Sequence, residues 1–306
     1  MNGKYENLEA QIDKLFRENN RKSIKTRYRY KDATCRFCQW LSETTNIKKF
    51  SNIKSKHIYM YVDFMKTKYA PGTIKMELSG IRFFYSLTGS KERLPENEKL
   101  NLEQRTFGGV KRSWSEEEIE KAIALAEKMN RIDVVMALKL CFNFGTRLEE
   151  AVTLTVWQIK KAIEKGYLYL ENTKGNNPRE VLVEEIKLVV LYYVLKNAKS
   201  KERIFIGIGD KTHKVKKSIQ DWIRNHRKEF QDIDRINNTA VRELVKTGET
   251  PKANVTIHGT RHSYAQQSFL DFTESGEDKT TAKKATSERL GHHRISVTNI
   301  YLNKSR

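Results

Sequence analysis

Apolar residues recur at three- and four-residue spacing along most of this chain, and they alternate at strand spacing in only one place. That pattern commits the chain to a largely helical fold, because a stripe of 3.6-residue period cannot be buried by a strand. Leu8, Ile12 and Leu15–Phe16 mark a weakly amphipathic helix within residues 1–22. Ala33, Phe37, Trp40 and Leu41 mark a second helix, and Ile58, Tyr61, Val62 and Met65 a third. A fourth restarts after Pro71-Gly72, carries Ile74, Leu78, Ile81 and Tyr85, and ends near Gly89. Residues 1–90 therefore predict an all-helical unit. Periodicity lapses through SKERLPENEK and the Gly108-Gly109 pair, so residues 91–111 read as a linker.

A second unit, residues 112–306, opens with Ser115 and Glu118 in capping-box spacing, where the hydroxyl meets the third amide and the carboxylate reaches back. Val134 to Phe144 is almost wholly apolar and predicts a buried helix. Tyr167–Leu170 alternates, and Glu180–Val183 answers it across the turn-rich Asn172–Pro178, which predicts a hairpin. The remainder reads helical to the end, with an irregular polar stretch near Asp232–Ala253. The fold class is mainly α with a small antiparallel β-sheet in the second unit.

Composition narrows the function. There are 58 Lys+Arg against 38 Asp+Glu, a formal charge of +20. Residues 1–110 hold 22 basic and 12 acidic side chains, so each unit carries half of the excess. The polyanion that best matches such a surface is nucleic acid, where Lys and Arg displace counterions from phosphates. Lys25, Arg27, Arg29, Lys75 and Arg82, interleaved with tyrosines, and Lys214 and Lys216 in the second unit are the phosphate-contact candidates; the competing reading is a solvated helix face. No apolar run is long enough for a membrane span, and the polar, mixed-charge N-terminus is not a secretory signal. Three cysteines in a chain of this length do not suggest a disulfide scaffold, so a reducing cytosol is expected. Cys35 and Cys38 form a lone CxxC inside an apolar helical stripe, which reads as packing, since a zinc site needs about four ligands.

Five residues are harder to explain by packing alone. His258 and Arg261 stand three apart, on one face of a helix. His292 follows Leu290-Gly291, where glycine ends a helix, and Tyr301 lies nine residues further on. Arg147 closes the apolar helix and needs an anion, for which Glu150, one turn on, is the local structural partner.

The motifs GTRLEEAVTL, TKGNN, HGTRHSYA and LGHHRISVTNIYL, in that order, resemble the tyrosine recombinase (phage integrase) family. The resemblance spans residues 112–306, and the helical residues 1–90 resemble that family's core-binding, SAM-like domain by pattern. It implies a catalytic set of Arg147, Lys174, His258, Arg261, His292 and the nucleophile Tyr301, with Glu150 behind Arg147. Two departures stand out. Thr260 occupies a position that is usually apolar, and Asp271–Ser287 is longer than usual.

The chemistry agrees with those residue types. Two guanidinium groups suit bidentate contact with the non-bridging oxygens of a phosphodiester, and a histidine can take the phenol proton. By resemblance, Lys174 protonates the leaving 5′-oxygen, His258 assists Tyr301 and His292 bonds a phosphate oxygen. Arginines supplying the electrostatic stabilisation agree with no metal and no cofactor. The resemblance further implies a two-domain, C-shaped clamp on double-stranded DNA and a homotetramer on paired recombination sites. An accessory DNA-bending or directionality factor is a further expected partner, and a nucleoid-associated location in the cytoplasm is expected. Integration or excision of a mobile element or prophage is the expected role. A type IB-like topoisomerase or a catalytically silent DNA-binding accessory protein are the alternatives. The length leaves no room for an ordinary arm-binding domain, so a Xer-like or transposon-type architecture is expected. Only five residues follow Tyr301, so subunit contacts are expected to come from the Tyr301 segment or from Asp271–Ser287.

Overall fold

The computed structural model describes residues 3–103, 112–171, 178–238, 254–292 and 295–302. The chain divides into two compact units, Met1–Thr106 and Phe107–Arg306. Among its described residues the first holds four α-helices: α1 (Gly3–Glu18), α2 (Ile24–Thr44), α3 (Ser55–Lys66) and α4 (Pro71–Ser86). Ser23 caps α2 by accepting the Thr26 amide at 3.3 Å, and Pro71 occupies the first turn of α4, where its missing N–H costs nothing. Every apolar stripe read from the sequence faces the core: Leu8 and Ile12 from α1, Phe37 and Leu41 from α2, Ile58 and Val62 from α3, Ile74 and Ile81 from α4. Cys38 is fully buried among them, and burial pushes its thiol well above the ordinary range, which makes it an inert packing group. The first part of the stretch read as a linker belongs to this unit, since Leu94 and Leu100 are buried in its core.

The second unit is built around α6 (Ile132–Asn143), whose residues from Val134 to Leu138 are all buried. It packs against α5 (Glu116–Lys128), α7 (Leu148–Thr153), α9 (Leu188–Lys196), α10 (Thr212–His226) and α11 (Ile257–Glu274). Ser115 and Glu118 form the expected box at the start of α5, with the Ser115 amide donating to Glu118 at 2.8 Å. Between α7 and α9 lie α8 (Val156–Lys165) and a two-stranded antiparallel sheet, β1 (Tyr167–Leu170) and β2 (Arg179–Leu182). The register pairs Tyr167 with Leu182 and Leu170 with Arg179. Leu168, Leu170, Val181 and Arg179 therefore share the inner face, an unusual place for an arginine.

The long Asp271–Ser287 stretch resolves into the end of α11, a turn at the left-handed Gly276 and the helix α12 (Lys279–Arg289), capped by Asp278. Thr260 is buried, with its hydroxyl donating to the Ile257 carbonyl at 2.7 Å, which explains how a polar residue is accepted at this position. The last described helix is α13 (Ile295–Leu302). Helices α11, α12 and α13 pack on one another, and α12 also meets β2. No helix among the described residues is long and apolar enough to cross a membrane.

Gly145 makes the exit from α6. Its φ of 57° is left-handed, and a Cβ there would overlap the ring of Tyr264. Gly145→Ala is expected to lower stability by about 2–4 kcal/mol in urea unfolding, as left-handed strain adds to overpacking. An unchanged midpoint would mean that the turn relaxes freely.

Candidate active site

The site starts at the end of α6. Arg147 is the N-cap of α7, and its own amide donates to Glu150 Oε2 at 2.8 Å. Its guanidinium Nη1 also bonds Glu150 Oε1, so one carboxylate sets both the backbone and the side chain of Arg147. Glu150 is buried, whereas Arg147 retains 20% of its side-chain exposure. The expected pairing of the two is present, and it leaves the arginine reaching towards solvent.

Glu150 has a second partner that the sequence did not single out. Arg179, from the inner face of β2, donates to Glu150 Oε2 at 2.7 Å, to the Gly145 carbonyl at 3.3 Å and to the Arg289 carbonyl at 2.7 Å. Arg261, fully buried on α11, donates to the same Gly145 carbonyl and to the Leu290 carbonyl. The turn after α6 and the end of α12 are thus tied together by two arginines. Burial, with Arg179 and Arg147 alongside, lowers the Arg261 pKa to about 9, so it remains charged at neutral pH. Burial works to raise the Glu150 pKa, but Arg179, the Arg147 amide and charge, and Arg261 outweigh it and hold the group below its ordinary value.

Tyr301 comes in on α13 and is nearly buried. Its hydroxyl lies 3.1 Å from His258 Nε2. The ring of His262 tilts against the Tyr301 ring with centroids 4.3 Å apart, and that of His292 lies 5.0 Å away. His292 Nε2 is 3.4 Å from Arg261 Nη2, and its Nδ1 is 2.9 Å from Thr298 Oγ1. A guanidinium only donates, so Nε2 accepts and the imidazole proton sits on Nδ1, an assignment made from the network. The Thr298 hydroxyl can donate or accept, so it supports either tautomer. Burial first, then neighbouring cations, lowers the His292 pKa to about 3. His262 is likewise lowered to about 3, by burial and then by His258, Arg112 and Arg261. Both imidazoles are neutral near pH 7.

The structure therefore brings Arg147, Glu150, Arg261, His258, His292 and Tyr301 together from four separate stretches of chain. Lys174 lies outside the described residues. The surface candidates divide. Lys25, Arg29 and Lys214 are exposed. Lys75 is half-buried and donates to the Glu103 carbonyl at 2.9 Å. Arg27 is buried, bonded to the Phe16 carbonyl and to Asn20 Oδ1 at 2.6 Å, with its charge over the Phe16 ring. Arg82 donates to the Pro95 carbonyl and to Asn97 Oδ1 at 3.0 Å. Lys216 pairs with Glu149. These three side chains are engaged within the fold, because helix packing turned them towards acceptors of their own chain. Sequence reasoning missed Arg179 and the place of His262 against Tyr301. The available signal for Arg179 was its place in phase with Val181 on an alternating strand, where a cation demands a buried acid.

A tyrosine hydrogen-bonded to a histidine beside clustered arginines, on a mainly helical scaffold, defines a phosphoryl-transfer protein of the tyrosine-nucleophile class. The sequence profile of the phage integrase family matches residues 112–306, and that of the phage integrase N-terminal SAM-like domain matches residues 8–93. The chain belongs to the phage integrase family and is a tyrosine-type site-specific recombinase. A tyrosine recombinase of Thermosipho africanus is 23% identical over 264 residues, covering 83% of this chain and 82% of that protein. Among solved structures, the XerH recombinase bound to its palindromic difH substrate has a TM-score of 0.58 at 16% identity, covering 97% of this chain and 81% of that one. A lambda integrase dimer bound to a core site has a TM-score of 0.54 at 14% identity, covering 98% and 96%.

The two depressed histidines set the acid limb of stability. Unfolded, they titrate near about 6.5; folded, at about 3. Between these values the unfolded chain binds more protons, so stability rises with pH and falls on acidification. The thermal midpoint is expected to drop steadily from pH 7 to pH 4, and His262→Gln is expected to flatten that slope. Equal slopes for variant and wild type would show that His262 titrates normally.

Proposed function

We propose that this chain cuts and rejoins DNA strands at specific sites through a covalent 3′-phosphotyrosyl intermediate on Tyr301, in the integration or excision of a mobile element or prophage. The observation that carries the reading is the charge and proton arrangement around Tyr301. Arg147, Arg179 and Arg261 face a single carboxylate, Glu150, while His258 stands within hydrogen-bond reach of the phenol. Three guanidinium groups against one carboxylate leave a cationic site. A phosphodiester brings one negative charge and its pentavalent transition state two, so the attraction grows as the reaction proceeds.

In the proposed step the Tyr301 oxygen forms a bond to phosphorus and passes its proton to His258. The bond from phosphorus to the 5′-oxygen breaks, and that oxygen takes a proton from Lys174, a role assigned by the family pattern. The reverse sequence, with a 5′-hydroxyl attacking the phosphotyrosine, rejoins the strand without an external energy source. Arg147 and Arg261 hold the non-bridging oxygens. His292 adds a donor once its proton moves to Nε2, a change that Thr298 Oγ1 accommodates by reversing its own bond.

Duplex DNA is the proposed substrate, in keeping with the DNA held by the XerH and lambda integrase structures. Lys25, Arg29, Lys75 and Lys214 are the proposed phosphate contacts. A homotetramer on paired sites and an accessory bending or directionality factor complete the proposal.

Covalent capture on a nicked duplex tests it. The wild-type protein is expected to form an SDS-resistant adduct and release a free 5′-hydroxyl end. Tyr301→Phe is expected to form none while binding the duplex within about threefold of wild type, and Arg147→Ala is expected to slow capture about 10²–10³-fold. An adduct on Tyr301→Phe would assign the nucleophile elsewhere. Binding is also expected to weaken linearly in log K against log salt, and a flat dependence would remove the phosphate-tracking role of the basic surface.

A further inference from the structure

Among the described residues of the site, Arg179 is the buried cation that the catalytic scheme leaves without a task. It stands on β2, at the base of the hairpin that carries Lys174 five residues earlier in the chain. Its three acceptors belong to three different segments. Glu150 is on α7, Gly145 is in the turn after α6, and the Arg289 carbonyl ends α12 just ahead of His292. A fourth link is indirect, because the Gly145 carbonyl also receives Arg261. A Cβ at Gly291, whose φ is 62°, would overlap the Arg179 side-chain stem, so the chain ahead of His292 closes directly over this arginine. An aliphatic residue would fill the same space with no buried charge to desolvate, so the arginine calls for an electrostatic explanation.

We infer that Arg179 is a positioning residue for strand cleavage: it neutralises Glu150 from the side away from the substrate, which leaves the charge of Arg147 available to the scissile phosphate. The inference rests on the recombinase reading and deepens it. Glu150 is needed to orient Arg147 through both its amide and its guanidinium. A carboxylate paired with Arg147 alone would also cancel the positive charge that the phosphate needs. A second cation on the same carboxylate resolves that conflict, since Arg179 takes Oε2 while Arg147 Nη1 takes Oε1. In so enclosed a place each unit of charge counts far more than on the surface. Arg179 also ties β2 to the segment preceding His292 and to the turn that carries Arg147.

The test uses the full chain and a duplex enriched by the protein itself from a randomised pool. The bond cut by wild type is mapped first, and a second duplex carries a neutral methylphosphonate at that bond. Arg179→Met keeps the volume and removes the charge. It is expected to slow covalent capture on the phosphate duplex about 10–100-fold, the scale of losing a group that orients a reacting one, and to stay within about threefold of wild type on the methylphosphonate duplex. Adding Glu150→Gln to Arg179→Met removes the now unbalanced carboxylate charge and is expected to recover part of the loss on phosphate. Arg179→Lys keeps the charge, and it serves if the methionine variant does not unfold cooperatively. Its expected loss is below about tenfold on phosphate, with none on methylphosphonate. Wild-type rates for Arg179→Met on phosphate would overturn the inference, as would equal losses on the two duplexes for either variant. A double variant no better than Arg179→Met would also overturn it. A wild-type protein that forms no adduct on either duplex would instead remove the recombinase reading on which the inference stands.

Discussion

The carboxylate of Glu150 is the point on which the site depends. One buried anion meets an amide and two guanidinium groups drawn from α7 and β2, and the Gly145 carbonyl beside it takes two arginines at once. Such a cluster is stable only when complete. Removing one partner of a buried ion pair leaves an uncompensated charge, and that cost exceeds the net worth of the pair. The surrounding fold serves this requirement. The apolar α6 delivers Gly145 and Arg147 to one spot, the sheet turns Arg179 inward, and α11 and α12 bring Arg261 and the carbonyls of Arg289 and Leu290. The arrangement concentrates positive charge around Arg147, which keeps part of its side chain exposed.

Around Tyr301 the logic is different. Tyr301 sits among three imidazoles, and burial keeps at least two of them neutral. Guanidinium groups gather around Glu150, while imidazole rings, at least two of them neutral, pack around Tyr301. That division suits a reaction in which a proton must leave a phenol and negative charge must build on phosphate, because a protonated histidine at His258 could not take the phenol proton. The cation cluster adds to the effect of burial, since Arg261 contributes to the lowered basicity of both His262 and His292.

Much of the fold was legible as periodicity. The four stripes of the first unit, the buried helix at Val134–Phe144 and the hairpin at Tyr167 all appear where spacing put them, because a 3.6-residue or a two-residue repeat leaves few ways to bury apolar area. The Arg147–Glu150 pair was equally legible as a one-turn spacing. Arg179 was not, since its meaning depends on which strand face turns inward and on an acid 29 residues earlier in the chain. Arg27 and Arg82 resembled their exposed neighbours in sequence, and only the packing of α1, α2 and α4 turned them towards acceptors of the same chain.

By itself the sequence determined the helical class, the place of the hairpin and the basic surplus, because each of these is a property of residue type and local spacing; the candidate catalytic residues came from the resemblance of its motifs to a family. Only the tertiary structure decided which charges stay exposed and which are engaged within the fold. It set His258 against Tyr301 and His292 against Arg261, and it put two arginines on one carbonyl. The physical reason is that the energy of a charge or a proton depends on burial and on neighbours brought from distant parts of the chain, and neither can be read from the order of residues.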